Sequence, residues 1–224
     1  MNFRYLGVVA QNPERKVTRY HSPLRARQAA ETRRSIMDAA LALFGDRGWT
    51  ATTLPMIAAE AGTSVDTIYA VFGTKSALLM AVVEVAIVGD EEEAAMADRP
   101  DFAQFAEGPR VERIRTGVHY TVAVLQRSVP ILKALREAAA SDEAARVRLA
   151  QYDGDRRNLT AAGLTLILGE EPSEDVIDAV WALFSPEVFT YLSEGRGWSI
   201  EKTEAWLVEM GTAALGPQRR PSPR

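Results

Sequence analysis

The segment TTLPMIAAEAGTSVDTIYAVFGTKSALL, from Thr52 to Leu79, limits the possible folds more tightly than any other part of the chain. Its threonines, serines and glycines cut it into short pieces with helical spacing. Thr53 can cap a first helix, and Pro55 is tolerated in the opening turn, where its missing N–H has no intrahelical partner to lose. Leu54, Ile57, Ala58 and Ala61 then recur on one face. Gly62 follows the last apolar position, where a positive φ ends a helix without a Cβ penalty, and Ser64 offers its hydroxyl to the next N-terminus. In the second helix Val65, Ile68 and Phe72 fall at i, i+3 and i+7, so Asp66, Thr67, Tyr69 and Ala70 are left for solvent or a partner. The order of helix, tight turn and helix is that of a helix-turn-helix. Eight residues at about 1.5 Å each make a rod of roughly 12 Å, the width of a DNA major groove.

Charge is distributed to match. The chain of 224 residues has a formal charge of −4, but residues 1–80 hold ten Lys or Arg against six Asp or Glu, and residues 81–224 hold sixteen against twenty-four. A duplex therefore attracts the half with the helix pair and repels the other half. A hydrophobic content of 47% is too high for a mainly disordered chain. No apolar run approaches the ~20 residues of a membrane span, and no export signal is indicated. The absence of cysteine excludes disulfides and thiolate metal sites, which fits a cytoplasmic protein, and two histidines leave little for imidazole chemistry.

Residues 1–27 carry Arg4, Arg15, Lys16, Arg19, Arg25 and Arg27 with two prolines and no helical periodicity, and read as a flexible basic arm. Arg25 and Arg27 are candidates for contact with a groove or phosphates; a late start codon would also explain the segment. From Thr32 to Arg47, Ile36, Ala39, Ala40, Leu43 and Phe44 form an apolar stripe that Gly48 ends, with Trp49 packing beyond it. Ser76 to Gly89 reads as an apolar helix followed by a solvated acidic run, Asp90 to Glu93. Helix follows helix from about residue 100 to 216, with breaks expected near Gly108-Pro109, Ser128-Pro130, Ser141, Gly169 to Pro172 and Gly195 to Gly197.

The run RRSIMDAALALFGDRGWTATT after Thr32, the pattern AAL-x-LF, the paired threonines, IAAEAG, and T-I-Y-x-x-F followed by a lysine resemble the tetracycline-repressor (TetR) family of bacterial transcriptional regulators. The resemblance covers about fifty residues and implies an all-α fold, with an N-terminal three-helix helix-turn-helix DNA-binding domain ahead of a larger helical ligand-binding and dimerisation domain. The expected division is a flexible arm over 1–27, the DNA-binding domain over 28–75, the effector and dimer domain over 76–216, and a disordered tail over 217–224. By the same resemblance the partners are double-stranded DNA at a palindromic operator, a second copy of the chain, and a small effector, with repression as the usual outcome.

Thr53 and Ser64, at helix starts, and Tyr69, through its phenol, are expected on phosphate, and the resemblance puts Lys75 there too. Val65, Asp66, Thr67 and Ala70 are the side chains best placed for base edges. Thr67 fits a thymine methyl; Asp66 either accepts from a cytosine or caps its own helix, with capping preferred. At Ala70 and Val71 the chain departs from the family, where polar and aromatic or histidine side chains are usual, so fewer direct polar base contacts are available.

Ile177, Val180, Trp181, Phe184, Val188, Tyr191 and Leu192 follow helical spacing interrupted by Pro186, and Trp206, Leu207, Met210 and Ala214 repeat it. These stripes fill either the monomer core or, as SPEVFTYL and GWSIEKTEAWL suggest by resemblance, a four-helix dimer contact through Ile177, Trp181, Val188, Tyr191, Trp206, Met210 and Ala214. His119, Tyr120, Tyr152, Trp181 and Phe184 are candidate effector contacts, whose character favours an apolar ligand. There is no H-E-x-x-H, E-x-x-H, G-x-S-x-G or glycine-rich phosphate loop, so no enzyme, metal or cofactor is expected. A dimeric helical adaptor that binds DNA without sensing a ligand is the remaining alternative.

Overall fold

The computed structural model describes residues 23–89 and 96–217, all in helices and short connections. The acidic run 90–93, residues 1–22 of the expected arm and residues 218–224 of the expected tail lie outside the described residues. The helices are α1 (Pro23–Ala51), α2 (Leu54–Glu60), α3 (Val65–Phe72), α4 (Lys75–Val88), α5 (Pro100–Ala103), α6 (Arg110–Ala139), α7 (Glu143–Leu168), α8 (Glu174–Leu183), α9 (Pro186–Thr190) and α10 (Ile200–Ala214). Among the described residues no single helix is long and apolar enough to cross a membrane.

Helix α1 begins earlier than the sequence reading placed it. Residues 23–27, expected in the arm, are helical, because Pro23 at the first position sets φ and lacks only an N–H that would be unpaired there. The stripe Ile36, Ala39, Ala40 and Phe44 is buried as expected, and Gly48 (φ 75°, ψ −175°) breaks the helix before a last turn at Trp49–Ala51. Trp49 stacks on Phe44 at 5.8 Å between ring centroids.

The first three helices do not close a core of their own. Ile36, Phe44, Ile57 and Ile68 pack in one cluster with Leu78, Leu79, Val82 and Val83 of α4 and with Ile131, Leu132, Leu135 and Ala138 of α6. A second cluster, Phe102, Phe105, Val118, Leu125, Phe189 and Leu207, joins α5, α6, α9 and α10.

The break expected at Ser128-Pro130 is absent. Helix α6 runs through Pro130, with the Ser128 hydroxyl bonded to the Val124 carbonyl at 2.7 Å. The ring faces α1, where a Cβ built on Gly45 would lie 3.4 Å from Pro130 Cβ, an ordinary van der Waals distance. Pro186 does divide the rod as expected, with Ser185 capping α9 by accepting the Val188 N–H at 3.2 Å.

Candidate nucleic-acid interface

Local chemistry builds the α2–α3 pair much as the sequence suggested. The Thr53 hydroxyl accepts the Met56 N–H at 3.4 Å, Gly62 turns with φ 64°, and the Ser64 hydroxyl accepts the Thr67 N–H at 3.1 Å. Ile68 is 1% exposed and locks α3 onto the core, while Asp66, Tyr69 and Ala70 face solvent. Ser64, not Asp66, caps α3, which corrects the preferred reading of Asp66; Asp66 lies in the first turn, where its charge suits the helix dipole. Thr67 is half-buried and its hydroxyl pairs with that of Ser64 at 2.8 Å, and Val65 is half-buried against the core. Asp66, Tyr69 and Ala70, with Val71 at the margin, therefore form the open face of the rod.

Three flanking features bear on this face. The Arg33 guanidinium lies 4.6 Å from the Phe72 ring centroid and ties α1 to the end of α3. Helix α4 departs from α3 with a bend of 67°, capped by the Thr74 hydroxyl on the Ala77 N–H at 2.9 Å. Arg25 and Arg27 lie exposed on the first turns of α1, where Arg27 pairs with Glu31 at 3.8 Å.

Lys75 differs from the free cation that the resemblance implies. Its amine donates to the Trp49 carbonyl at 2.6 Å and sits 3.9 Å from the centre of the Trp49 indole. Burial pushes this amine below the ordinary lysine range, and Glu137 partly restores it. Glu137 in turn accepts the N–H groups of Trp49 and Thr50 at 2.7 and 3.0 Å, and hydrogen bonds, led by that of the Thr50 side chain, hold its carboxyl below the usual range. Glu137 was invisible to the sequence reading, since 88 residues separate it from Trp49 and no motif marks it.

The other candidates scatter. His119 lies on the surface, bonded to Glu204 of α10 at 3.1 Å, so it lines no interior space. Tyr120 is half-buried, edge-on to Phe105 at 5.4 Å; Tyr152 is buried in the first cluster; Trp181 lies under the Arg156 guanidinium at 4.3 Å; and Phe184 packs over Gly211. The structure thus brings Trp181 and Phe184 to the end of α8 and leaves Tyr120, Tyr152 and His119 in separate surroundings. Among the expected dimer residues, Ile177 is 4% exposed inside the monomer and belongs to its core, a correction whose cause is that α8 turns this side chain onto Leu164 and Val180. Trp181, Val188, Trp206 and Met210 are half-buried, and Tyr191 and Ala214 are exposed.

Residues 36–82 match the family model described as bacterial regulatory proteins, tetR family. No curated protein matches the sequence. Among solved structures, one described as a TetR-family transcriptional regulator from Mesorhizobium loti MAFF303099 is 19% identical over 84% of this chain and 96% of that one, with a TM-score of 0.64. Another so described, from a Rhodococcus species, is 19% identical over 83% and 100%, with a TM-score of 0.61. The multidrug binding protein EbrR, complexed with imidazole, is 18% identical over 80% and 89%, with a TM-score of 0.50. These likenesses are of fold, and the matched segment contains the whole α2–α3 pair. With that segment in place on an all-helical frame, residues 36–82 carry the domain described as bacterial regulatory proteins, tetR family.

Proposed function

We propose that the chain is a repressor that binds a palindromic operator as a homodimer and leaves it when a small, mostly apolar effector binds. The carrying observation is the open face of α3: Asp66, Tyr69 and Ala70 point outward from a rod fixed at its base by Ile68. Thr53, Ser64 and Tyr69 serve phosphates, Asp66, Ala70 and the exposed edge of Thr67 and Val65 serve bases, and Arg25 and Arg27 extend the contact from α1. Residues 28–75 do the reading, and residues 76–216 hold the effector and the second copy.

Support for the dimer comes from α8 and α10, which leave Ala179, Ala182, Ala213 and Ala214 exposed, as Tyr191 is. Small residues allow two such helix pairs to approach closely in a two-fold bundle. The aromatic side chains of Phe102, Phe105 and Tyr120, which meet edge-on or tilted where α5 and the turn after it pack on α6, suit an apolar effector, and EbrR, a neighbour in fold, is described as a multidrug binding protein.

Selection of bound fragments from random duplex DNA tests the reading. A site with two-fold symmetry and half-sites about 34–36 Å apart is expected. Enrichment of an asymmetric site would remove the dimer, and no enrichment at low salt would remove DNA recognition altogether.

A further inference from the structure

The large helical part grips the reading helices at one polar point. Glu137 Oε2 accepts the Trp49 N–H at 2.7 Å and Oε1 the Thr50 N–H at 3.0 Å, while the Trp49 carbonyl accepts the Lys75 amine at 2.6 Å. The peptides around Trp49 are thus held from α6 on the N–H side and from α4 on the carbonyl side. A Cβ at Gly48 would stand 2.6 Å from Glu137 Oε2, so only glycine lets the carboxylate in. After Ala51, Thr52 is fully buried with its hydroxyl on the Leu43 carbonyl at 2.9 Å, and Thr53 then caps α2. Only Thr52 and Thr53 separate the end of α1 from the start of α2. Helix α6 also holds the far end of α4, where Arg127 donates to the Ala86 and Ile87 carbonyls at 3.1 and 2.8 Å.

We propose that Glu137 is a positioning residue for DNA recognition: through the Trp49 and Thr50 N–H groups, with Lys75 closing the other side, it sets the angle at which α2 and α3 meet a duplex. The proposal rests on the DNA-binding reading above and adds where the rest of the protein controls it. Lys75 acts as an internal tie in this arrangement.

The substitution E137Q preserves size but offers one acceptor and one donor where two acceptors stood, so one N–H loses its partner. Amide hydrogen exchange in the full-length protein should become about threefold faster from Met56 to Phe72, the value of one hydrogen bond to an exposed carboxylate for which water competes, with α7 and α10 unchanged. Discrimination between the duplex selected by the wild-type protein and a random-sequence duplex should fall about threefold while random-duplex binding persists. K75M should shift both readouts the same way by less, and the double variant should fall short of the sum, because both residues act on one peptide. Unchanged exchange over α2 and α3 in E137Q, or additive effects in the double variant, overturns the proposal. Should E137Q not fold, K75M alone decides through the same exchange readout. Failure of the wild-type protein to bind any duplex would instead sink the DNA reading, since the exchange result needs no DNA.

Discussion

Replacing Arg127 by Met tests how α4 is anchored. The guanidinium satisfies two of the carbonyls left open at the C-terminal end of α4, at 3.1 and 2.8 Å, and Gly89 just beyond, with φ 100°, leaves room for it. A buried pair of bonds from a charged donor would contribute about 1.5–3 kcal/mol each. Arg127 is exposed, however, so solvent competes for the same donors and the charge–dipole part is limited to about 0.3–1 kcal/mol. A net loss of about 1 kcal/mol follows, which for a chain of this size lowers Tm by about 2–4 °C. Differential scanning calorimetry at low and high salt measures it, and the deficit should shrink at high salt as the dipole attraction is screened. R127K should fall between, because an ammonium keeps the charge and loses the fork. Equal Tm values for wild type and R127M, or R127K as damaging as R127M, would refute the assignment of a forked cap.

S64A should lower the urea midpoint by an amount corresponding to about 1 kcal/mol, and S64N should restore most of it, since the Ser64 hydroxyl caps α3. I177A should cost about 2–5 kcal/mol in unfolding at every protein concentration, whereas Y191A should leave the monomer fold intact and shift the dimer equilibrium in sedimentation. Burial pushes the Tyr152 phenol up to about 12, above its unfolded value near 10. Because the folded protein keeps that proton longer, its contribution is complete below pH 10 and disappears as pH rises towards 12; Y152F should flatten the alkaline arm of the stability curve by about 2–3 kcal/mol.

What the sequence made legible was chemistry confined to a few neighbouring residues. Thr53, Gly62 and Ser64 act on partners within four positions, and their caps and turn stand as read. Periodicity also found the buried stripe of α1 and the division at Pro186. It failed where a distant partner decides. Pro130 stays inside α6, where its neighbours Ile131, Leu132, Ala134 and Leu135 are buried in the cluster shared with α1 and α4, and spacing alone placed Ile177 on an apolar face without saying whether that face belongs to the monomer or to a second copy. His119 and Glu204, and Glu137 and Trp49, are brought together only by the packing of whole helices.

The apolar cluster shared by α1–α4 and the second half of α6 has a bearing on how such a protein can be taken apart. Excising residues 23–89 would strip Ile131, Leu132, Leu135 and Ala138 from the faces they cover and leave a wide oily surface where Leu78, Val82 and Phe44 now meet them. The smallest unit that could be transplanted to another sensor must therefore carry its own length of α6, and a chimaera joined ahead of residue 110 inherits a reading head built against a stranger.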